Sequence, residues 1–586
     1  MAYTIRVASH GRTVTAEEKD NLADKLLEAG VPLNLYCNKR GLCGKCFVEI
    51  LSGPRPEPGE KERLWLEQKA LSADCRLSCQ YEVTGDLVLN IPASSTRENI
   101  PILPSIPRSS IVPNPAVRKY DLEVSGAEIS SPDSLLEGIL RGLGVESLKV
   151  PLDSLRKVGP ALKESGGKVT AVVHRESEII AVEAGRTIDR NFGLAVDIGT
   201  TTLVMELVDL ESGKTLDMEA ALNSQSRRGA DVISRITYAL SENKNAAELR
   251  ELVVDTLNQM VQRLLARNRV SPDSVYEVVF SGNTAMNHLL LGVPVESLAR
   301  APYQAVFSRI PAVSSREIGL AIHPNGKAYF APNIKSFVGG DISSGILAAG
   351  LASRSGNCLF LDLGTNGEIV LKAGEELMAT STAAGPAFEG MNISCGMPAL
   401  TGAIYKAEDR GTIRITTIGN GPPLGVCGTG LIDLMAVFLA RGDIAPGGTI
   451  RNAGKKLPVA SGIALTQEDV RQMQLACAAI KSGLRLVLKA KGLSIENLDE
   501  ILIAGAFGSY LNIRNSMALG LLPRTEESRV VFLGNSSLAG ARLLLLAQEK
   551  REEVESLVQN IRYLSLASDR AFQDYFIRAL EFKPWP

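Results

Sequence analysis

Histidine, surplus positive charge and long apolar runs are all scarce in this chain of 586 residues. Its four histidines are far apart in sequence, which argues against a metal site built from histidines. Lysine and arginine total 63 against 65 acidic residues, a net charge of −2, so no nucleic-acid partner is expected. No apolar run is long enough to cross a bilayer, and the first residues lack the apolar core of a secretion signal. We therefore expect no membrane partner and a cytoplasmic location.

Cysteine is also scarce, and its distribution is uneven. Five of the nine cysteines fall within the first 79 residues, whereas the others are spread over the second half of the chain. In a cytosolic protein such a cluster binds a metal more often than it forms disulfides. The clustered cysteines are Cys37, Cys43, Cys46, Cys75 and Cys79, and the scattered ones are Cys358, Cys395, Cys427 and Cys477.

Three of the clustered cysteines lie in one glycine-containing loop with the spacing Cys37-x5-Cys43-x2-Cys46. A [2Fe–2S] cluster requires four thiolates, and Gly41 and Gly44 allow the backbone N–H groups of such a loop to approach sulfur closely. The alternative is a structural zinc site, which four thiolates would also satisfy. Zinc ribbons usually have two Cys-x2-Cys pairs and this segment has one, so we favour the iron–sulfur cluster.

The spacing departs from the plant-type pattern, which has four residues between the first two cysteines, because here there are five. Together with residues 76–80 (RLSCQ), it resembles the adrenodoxin-like branch of the [2Fe–2S] ferredoxins. The resemblance implies a β-grasp fold in which the cysteine before glutamine is the fourth ligand, and it leaves Cys75 free. The implied metal ligands are Cys37, Cys43, Cys46 and Cys79.

Two similar turns organise the C-terminal part of the chain. Residues 194–203 (LAVDIGTTTL) and 359–369 (LFLDLGTNGEI) each join an apolar strand to an Asp-x-Gly-Thr turn. Backbone N–H groups and threonine hydroxyls in such turns suit the anionic oxygens of a phosphate. Their recurrence predicts two related half-domains that close on one nucleotide.

Further strand–turn–helix segments follow each turn in the same order, at 278–292 and 336–350, and again at 500–511 and 530–545. This alternation predicts α/β layers with parallel strands. The set resembles the acetate and sugar kinase, Hsc70 and actin superfamily. That resemblance identifies the two turns as its phosphate motifs and 503–508 (IAGAFG) as its adenosine motif.

The same resemblance assigns roles to individual residues. Asp197 and Asp362 are expected to act catalytically, by binding Mg²⁺ or its waters or by positioning the attacking water. Asp341 is either a helix N-cap or a third such ligand. Residues 383–397 and 425–434 are glycine-rich and either line the cleft or pack closely elsewhere. The implied nucleotide-binding residues are Gly199, Thr200, Thr201, Gly340, Asp341, Gly364, Thr365, Asn366, Gly505, Ala506, Phe507 and Gly508.

These features divide the chain into domains. We expect a ferredoxin-like domain at 1–94, a small α+β middle domain at 117–191 and an actin-like ATPase domain at 192–586, with halves at about 192–355 and 356–586. Between the first two lies a proline-rich stretch, 95–116, which is either a semi-rigid linker or a strap packed on a neighbouring domain. The predicted fold class is therefore multidomain α/β.

The combination resembles the reductive activators of corrinoid proteins. The resemblance implies ATP-dependent, one-electron reduction of inactive Co(II) to Co(I) through a [2Fe–2S] cluster, with ATP and Mg²⁺ at the ATPase domain. It also implies a corrinoid protein of a methyl-transfer system as partner, an external low-potential electron donor and a homodimer. The alternatives are an activator of another low-potential enzyme such as a dehydratase, a small-molecule kinase with a fused ferredoxin, and an electron carrier with a regulatory nucleotide sensor.

Overall fold

The computed structural model describes residues 2–31, 33, 41, 46–68, 72, 74–92, 95, 111–124, 134–505, 511–566 and 569–585. Within these ranges, no helix combines the length and the apolar character needed to cross a membrane. Several residues that the sequence singles out lie outside the described residues, namely Cys37, Cys43, Gly44, Ala506, Phe507 and Gly508.

The N-terminal domain is a twisted mixed sheet with helix α1 packed on it. Its elements are β1 (Ala2–Val7), β2 (Arg12–Glu17), α1 (Leu22–Glu28), β3 (Phe47–Ser52), α2 (Glu60–Gln68), β4 (Cys75–Leu77) and β5 (Leu87–Asn90). The sheet order is β2-β1-β5-β3-β4, with β1 and β5 parallel and the other neighbours antiparallel. Leu22 and Leu26 of α1 are fully buried in the same core as Ile5 and Leu89. This is the β-grasp fold that the sequence predicts.

The middle domain is an antiparallel sheet, β6-β7-β8, with two helices packed against it. One face of the sheet packs on these helices through Val169 and Ile179. The other face contributes Val117, Val172 and Ile180 to a core shared with the next domain. The elements are β6 (Val117–Glu123), α3 (Leu135–Gly142), α4 (Leu152–Ser165), β7 (Lys168–His174) and β8 (Glu178–Ala184).

The first half of the C-terminal domain has the sheet order β11-β10-β9-β12-β14-β13. Strands β9 to β11 are an antiparallel meander, and β12 and β14 extend it in parallel. The elements are β9 (Phe192–Ile198), β10 (Thr202–Asp209), β11 (Thr215–Leu222), α5 (Val232–Ser241), α6 (Asn245–Asn268), β12 (Val275–Gly282), α7 (Thr284–Leu291), α8 (Glu296–Ala299), β13 (Val313–Ser314), α9 (Ser315–Ile318), β14 (Lys327–Phe330) and α10 (Gly340–Ala348).

The second half repeats this arrangement. The sheet order is β24-β23-β15-β16-β17-β25, again an antiparallel meander extended by parallel strands. The elements are β15 (Cys358–Leu363), β16 (Gly367–Ala373), β17 (Glu376–Thr382), β18 (Ala403–Asp409), β19 (Ile413–Thr417), β20 (Gly425–Val426), α11 (Gly428–Arg441), β21 (Lys456–Ala460), β22 (Ile463–Thr466), α12 (Gln467–Ala490), β23 (Glu500–Ala504), α13 (Ile513–Leu519), β24 (Val530–Gly534), α14 (Ser536–Leu546), α15 (Gln548–Asn560), β25 (Arg562–Tyr563) and α16 (Arg570–Ala579). The duplication predicted from the two turns is confirmed.

Helices α10 and α14 connect the two halves and cross each other at small residues. Gly540 lies against α10 so closely that a Cβ there would be 2.1 Å from the Ser344 carbonyl oxygen. Gly345 also lies close to α14, since a Cβ there would be 2.8 Å from Ser536 Oγ. Although it belongs to the second half in sequence, α14 packs on β9 and β12 of the first half.

One sequence-based expectation about this domain is wrong. Residues 336–350 were expected to begin with a strand, but Lys335 and Val338 form only an isolated bridge. The backbone turns back at this point, with Ile334 N–H donating to the Val338 carbonyl over 2.9 Å. The apolar pair 337–338 is too short for a strand, and the parallel strand of this unit is β14, earlier in the chain.

The end of the proline-rich stretch is packed on the C-terminal domain. The Asn114 N–H donates to the Leu546 carbonyl over 2.7 Å, and the Gln548 N–H donates to the Asn114 carbonyl over 3.0 Å. The Asn114 side chain also donates to Glu549. Residues 113–116 therefore behave as the packed strap of the two alternatives, although Val112 is exposed. Residues 96–110 lie outside the described residues.

Candidate functional site

The ladder between β3 and β4 brings two of the predicted cluster ligands together. Phe47 pairs with Leu77, and the Ser78 N–H donates to the Cys46 carbonyl over 2.9 Å, so Ser78 lies opposite Cys46 and Cys79 is the next residue. Both thiols are buried, with 1% and 4% of their surface exposed. Two buried thiols on adjacent strand ends, next to the loop that carries Cys37 and Cys43 in sequence, suit the thiolate donor set of an iron–sulfur cluster.

Cys75 lies further along the same ladder than Cys79. It pairs with Glu49, three residues further along β3 than Cys46. Three strand residues span about 10 Å, which places Cys75 away from the Cys46–Cys79 pair. Its thiol lies 3.7 Å from Ser72 Oγ. This position supports the choice of Cys79 over Cys75 as the fourth ligand.

The side chains of Trp65 and Gln80 lie against Gly41, the described residue between Cys37 and Cys43. The Trp65 indole N–H donates to the Gly41 carbonyl over 3.1 Å. Gly41 has a φ of +72°, and a Cβ there would lie 3.0 Å from Gln80 Cδ. The Gln80 amide lies 3.6 Å from Cys79 Sγ, within reach of an N–H···S hydrogen bond. A donor on a cluster sulfur is one of the means by which a protein raises a cluster's reduction potential.

Both Asp-x-Gly-Thr turns face one cleft of about 320 Å³ between the two halves of the C-terminal domain. The first turn closes through the Gly199 N–H, which donates to the Thr202 carbonyl over 3.0 Å, and the second through the Gly364 N–H, which donates to the Asn366 carbonyl over 3.0 Å. The sequence-predicted residues that line the cleft are Asp197, Gly199, Thr200, Thr201, Asp341, Asp362, Gly364, Thr365, Asn366 and Gly505.

Gly340 and Gly505 contribute through close packing. A Cβ at Gly340 would lie 2.5 Å from the Ala331 carbonyl, so this glycine lets α10 begin against the end of β14. Gly505 has a φ of +96°, and its Cβ would lie 2.6 Å from Asp362 Oδ1. Asp341 lies in the first turn of α10, where it accepts from its neighbour's N–H, while Gly339 is the N-cap. It therefore faces the cleft and is not the cap.

Two asparagines to which the sequence assigned no role, each preceded by a glycine, hold the first turn. Asn283 caps α7 with its side-chain oxygen and donates its amide to Thr200 Oγ1 over 3.1 Å. Asn535 caps α14 in the same way and donates to Asp197 Oδ2 over 2.9 Å. The repeated patterns at 282–284 (GNT) and 534–536 (GNS) were the available signal.

A buried guanidinium supports the first turn from behind. Arg235 is fully buried, and it donates to the backbone carbonyls of Thr200 and Gly229 and to the Gln225 side chain. These acceptors carry no formal charge. Burial lowers the pKa of Arg235 to about 9, opposed by Asp231 and Glu389. A positive charge directly beneath the turn favours an anion on its other side.

Carboxylates crowd the cleft. Enclosure by the protein raises the pKa of Asp362 to about 8 and that of Asp341 to about 7, and the negative charges of neighbouring carboxylates add to both shifts. Burial also raises the pKa of Asp197 and of Glu368. A bound cation would relieve this repulsion.

The donor set fits Mg²⁺ bound together with a nucleotide. Its donors are carboxylate, hydroxyl and amide oxygens, which are the hard ligands that Mg²⁺ prefers. Among the residues that the structure describes, no group of three or more ligating side chains could hold a metal ion by itself. Mg²⁺ usually keeps several waters and binds one or two carboxylates plus substrate phosphates, which is the environment that this cleft offers.

Residues of both glycine-rich stretches, 383–397 and 425–434, line the cleft. Phe388, Glu389 and Met391 of the first stretch line it, as do Gly428 and Thr429 at the start of α11. Gly430 instead packs on β18, because its Cβ would lie 2.0 Å from the Ile404 carbonyl. Asp231 is the N-cap of α5.

Fold and cleft together define a ferredoxin-type domain joined to an ATPase domain of the acetate and sugar kinase, Hsc70 and actin class. Four domain models match the chain in order: the 2Fe–2S iron–sulfur cluster binding domain at 5–84, the RACo linker region at 108–189, the RACo middle region at 192–354, and the C-terminal ASKHA domain of RACo at 356–584.

Two of the similar proteins cover nearly the whole chain, and a third covers two thirds of it. The corrinoid activation enzyme RamQ of Eubacterium limosum is 30% identical over 595 residues, covering 96% of each chain. The [Co(II) methylated amine-specific corrinoid protein] reductase of Methanosarcina barkeri is 26% identical over 427 residues, covering 67% of this chain and 77% of that protein. The solved structure of a reductive activator for corrinoid, iron–sulfur protein is 32% identical, with a TM-score of 0.75. The match covers 99% of this chain and 98% of that chain. The chain belongs to the family of reductive activators of corrinoid proteins.

Proposed function

We propose that this chain uses ATP to drive the one-electron reduction of inactive Co(II) to Co(I) on a corrinoid protein. The observation that carries the proposal is that two phosphate-type turns face one cleft in a chain that also has a [2Fe–2S] domain and matches corrinoid activators over its whole length. When bound, the [2Fe–2S] cluster supplies the single electron. The ATPase domain performs no redox chemistry.

The reaction needs ATP because the electron moves uphill. Plant-type [2Fe–2S] clusters have reduction potentials of about −400 mV. Each interval of about 59 mV by which the acceptor's potential lies below that of the cluster disfavours a one-electron transfer tenfold. ATP can overcome such a deficit only by binding one conformation or complex better than another. We infer that the activator docks on the Co(II) protein and alters the coordination of its cobalt, and that nucleotide binding and hydrolysis drive the complex through transfer and apart.

The cleft residues have distinct roles in this proposal. Thr200, Thr201 and Thr365 donate hydroxyl hydrogen bonds to phosphate oxygens, together with the N–H groups of both turns. Asp197 and Asp362 bind Mg²⁺ through its waters, and one of them orients the attacking water. Gly505 lies within the adenosine motif, and its lack of a side chain leaves room beside Asp362.

We propose that the cluster ligands are Cys37, Cys43, Cys46 and Cys79. The partner is a corrinoid protein of a methyl-transfer system, the reductant is an external low-potential donor, and the chain acts in the cytoplasm as a homodimer. The domain division is 1–94, 95–116, 117–191 and 192–586.

The dehydratase-activator alternative is weakened by the placement of the other cysteines. That type of protein carries its cluster through cysteines inside the actin-like fold. Here Cys358, Cys427 and Cys477 are buried in three different hydrophobic clusters, and Cys395 packs beside the last of these. They do not converge on one site.

ATP turnover tests the proposal against all the alternatives. With Mg²⁺ present, we expect hydrolysis that increases when a Co(II) corrinoid protein is added. A small-molecule kinase would instead require an acceptor, and a regulatory sensor would bind ATP without turnover. The variant Asp197→Ala should lose hydrolysis while its visible iron–sulfur spectrum is unchanged. No stimulation by any Co(II) corrinoid partner would reject the proposal.

A further inference from the structure

Glu389 links the two phosphate-type turns across the cleft. Its Oε1 accepts a hydrogen bond of 2.6 Å from Thr365 Oγ1 in the second turn. Its Oε2 accepts a hydrogen bond from Thr201 Oγ1 in the first turn. The carboxylate also lies over the second turn, since a Cβ at Gly364 would be 3.7 Å from Oε1. One side chain thus joins the two halves of the domain at the place where a phosphate is expected.

A phosphate and this carboxylate compete for the same donors. A threonine hydroxyl has one hydrogen, so it donates to one acceptor at a time. If Thr201 and Thr365 donate to phosphate oxygens, they no longer donate to Glu389. Charge adds to the competition, because two anions held side by side between the same turns repel each other.

Arg235 explains why an anion belongs at this point. Its buried guanidinium donates only to uncharged acceptors, and Glu389 is one of two carboxylates whose field reaches it. A buried cation without a compensating anion is costly. Asp231 and Glu389 together supply that negative charge, and a phosphate in the place of Glu389 would supply its share instead.

We propose that Glu389 is a specificity-determining residue that distinguishes ATP from ADP. This inference rests on the proposed function of the cleft. The terminal phosphate of ATP takes the hydroxyl donors of Thr201 and Thr365 and releases Glu389, whereas ADP leaves both hydrogen bonds to Glu389 in place. With ADP bound, the two turns are therefore joined by the Glu389 side chain. With ATP bound, they are joined through the terminal phosphate. Hydrolysis and release of phosphate restore the Glu389 bridge.

The test compares dissociation constants for two nucleotides. Titration calorimetry with Mg²⁺ is performed on the full chain, using ADP and the β,γ-imido analogue of ATP, for the wild type, Glu389→Gln and Glu389→Ala. Since the competing hydrogen bonds involve a charged group, we expect the affinity for the ATP analogue to rise about tenfold in both variants. The affinity for ADP should stay within about twofold, so the ratio of the two constants shifts. Glu408→Gln, on β18 and paired with Lys406 and Arg410, serves as the matched control and should leave both constants unchanged.

Two results would overturn the inference while leaving the proposed function intact. One is an equal change for both nucleotides, which would mean that Glu389 only shapes the cleft. The other is weaker binding of the ATP analogue, which would mean that Glu389 holds Mg²⁺ or water on the nucleotide. If the wild-type chain binds neither nucleotide, both the inference and the proposed function fall.

Discussion

The Ser537 hydroxyl donates a hydrogen bond of 2.7 Å to Asp197 Oδ1, although 340 residues separate the two along the chain. Asn535, the N-cap of the same helix, donates to the other oxygen of Asp197 over 2.9 Å. Both hydrogen bonds favour the ionised carboxylate and oppose the rise in pKa that burial causes. The start of α14 therefore fixes the orientation and the charge of the aspartate that opens the first turn.

Replacement of Ser537 by alanine should impair ATP hydrolysis. Loss of one hydrogen bond to a charged, buried carboxylate is worth about 1.5–3 kcal/mol, so kcat/KM for MgATP should fall roughly ten- to hundredfold. Steady-state hydrolysis measured over a range of Mg²⁺ concentrations checks this. Ser528→Ala, at an exposed position just before β24, should behave as the wild type. Unchanged hydrolysis in Ser537→Ala would show that Asp197 is held without this hydrogen bond.

Replacement of Gly540 by alanine should separate the two connecting helices. The new Cβ would lie 2.1 Å from the Ser344 carbonyl oxygen, a backbone atom that cannot rotate away. We expect a loss of about 1–3 kcal/mol from overpacking, seen as a lower urea midpoint for the C-terminal domain. In Gly447→Ala the new Cβ meets nothing within 4 Å, so its midpoint should not fall. Equal midpoints for the two variants would contradict the close crossing.

The two cysteines of the β4 region should respond differently to serine substitution. Cys79 lies beside Cys46, whereas Cys75 is three ladder positions away. After anaerobic reconstitution with iron and sulfide, Cys79→Ser should show a diminished or altered [2Fe–2S] visible spectrum and no electron transfer, while ATP binding persists. Cys75→Ser should keep the full spectrum. The opposite result, with the cluster lost in Cys75→Ser and kept in Cys79→Ser, would show that the ligand choice is wrong.

His174 should make the chain less stable below neutral pH. Burial, together with the positive charges of Arg551, Lys327 and Arg175, lowers the pKa of His174 from 6.5 to about 3. The Glu277 carboxylate, 3.9 Å from the ring, does not restore the pKa because it is already paired with Arg551. Below pH 6.5 the unfolded state therefore binds a proton that the folded state excludes.

The size and sign of this effect follow from proton linkage. A histidine whose pKa is lowered in the folded state does not change the free energy of unfolding at neutral pH, and it lowers that free energy as the pH falls. From pH 7.5 to 5.5, His174 alone should lower the free energy of unfolding by about 1.4 kcal/mol. The variant His174→Gln should lose less stability than the wild type over that range, as measured by urea midpoints at both pH values. Identical pH dependence in the two proteins would show that the imidazole is protonated in the folded state.

Much of the fold follows from local sequence patterns. The apolar runs that precede both turns become β9 and β15, because strands buried on both faces need apolar side chains at every position. The middle-domain hairpin of β7 and β8 lies at the predicted positions. The strand expected at 336–350 is wrong, since two apolar residues beside Gly339 and Gly340 form a tight turn instead.

Less of the site than of the fold could be predicted from the sequence, for a physical reason. A turn that binds phosphate is a local structure, so its residues could be named in advance. Glu389 reaches Thr201 across 188 residues, and Ser537 reaches Asp197 across 340. Such contacts depend on how the two halves close and on where α14 crosses, and one sequence gives no direct sign of either.

The reduction of cobalt itself is the most direct test of the central claim. A candidate corrinoid protein in the Co(II) state is mixed anaerobically with this chain and a low-potential reductant, and the visible absorption of Co(I) is followed with and without MgATP. The account predicts that the Co(I) band appears only when MgATP is present and is lost in Asp197→Ala and in Cys79→Ser. Equal formation of Co(I) without nucleotide, or a chain that stays colourless after iron reconstitution, would contradict it.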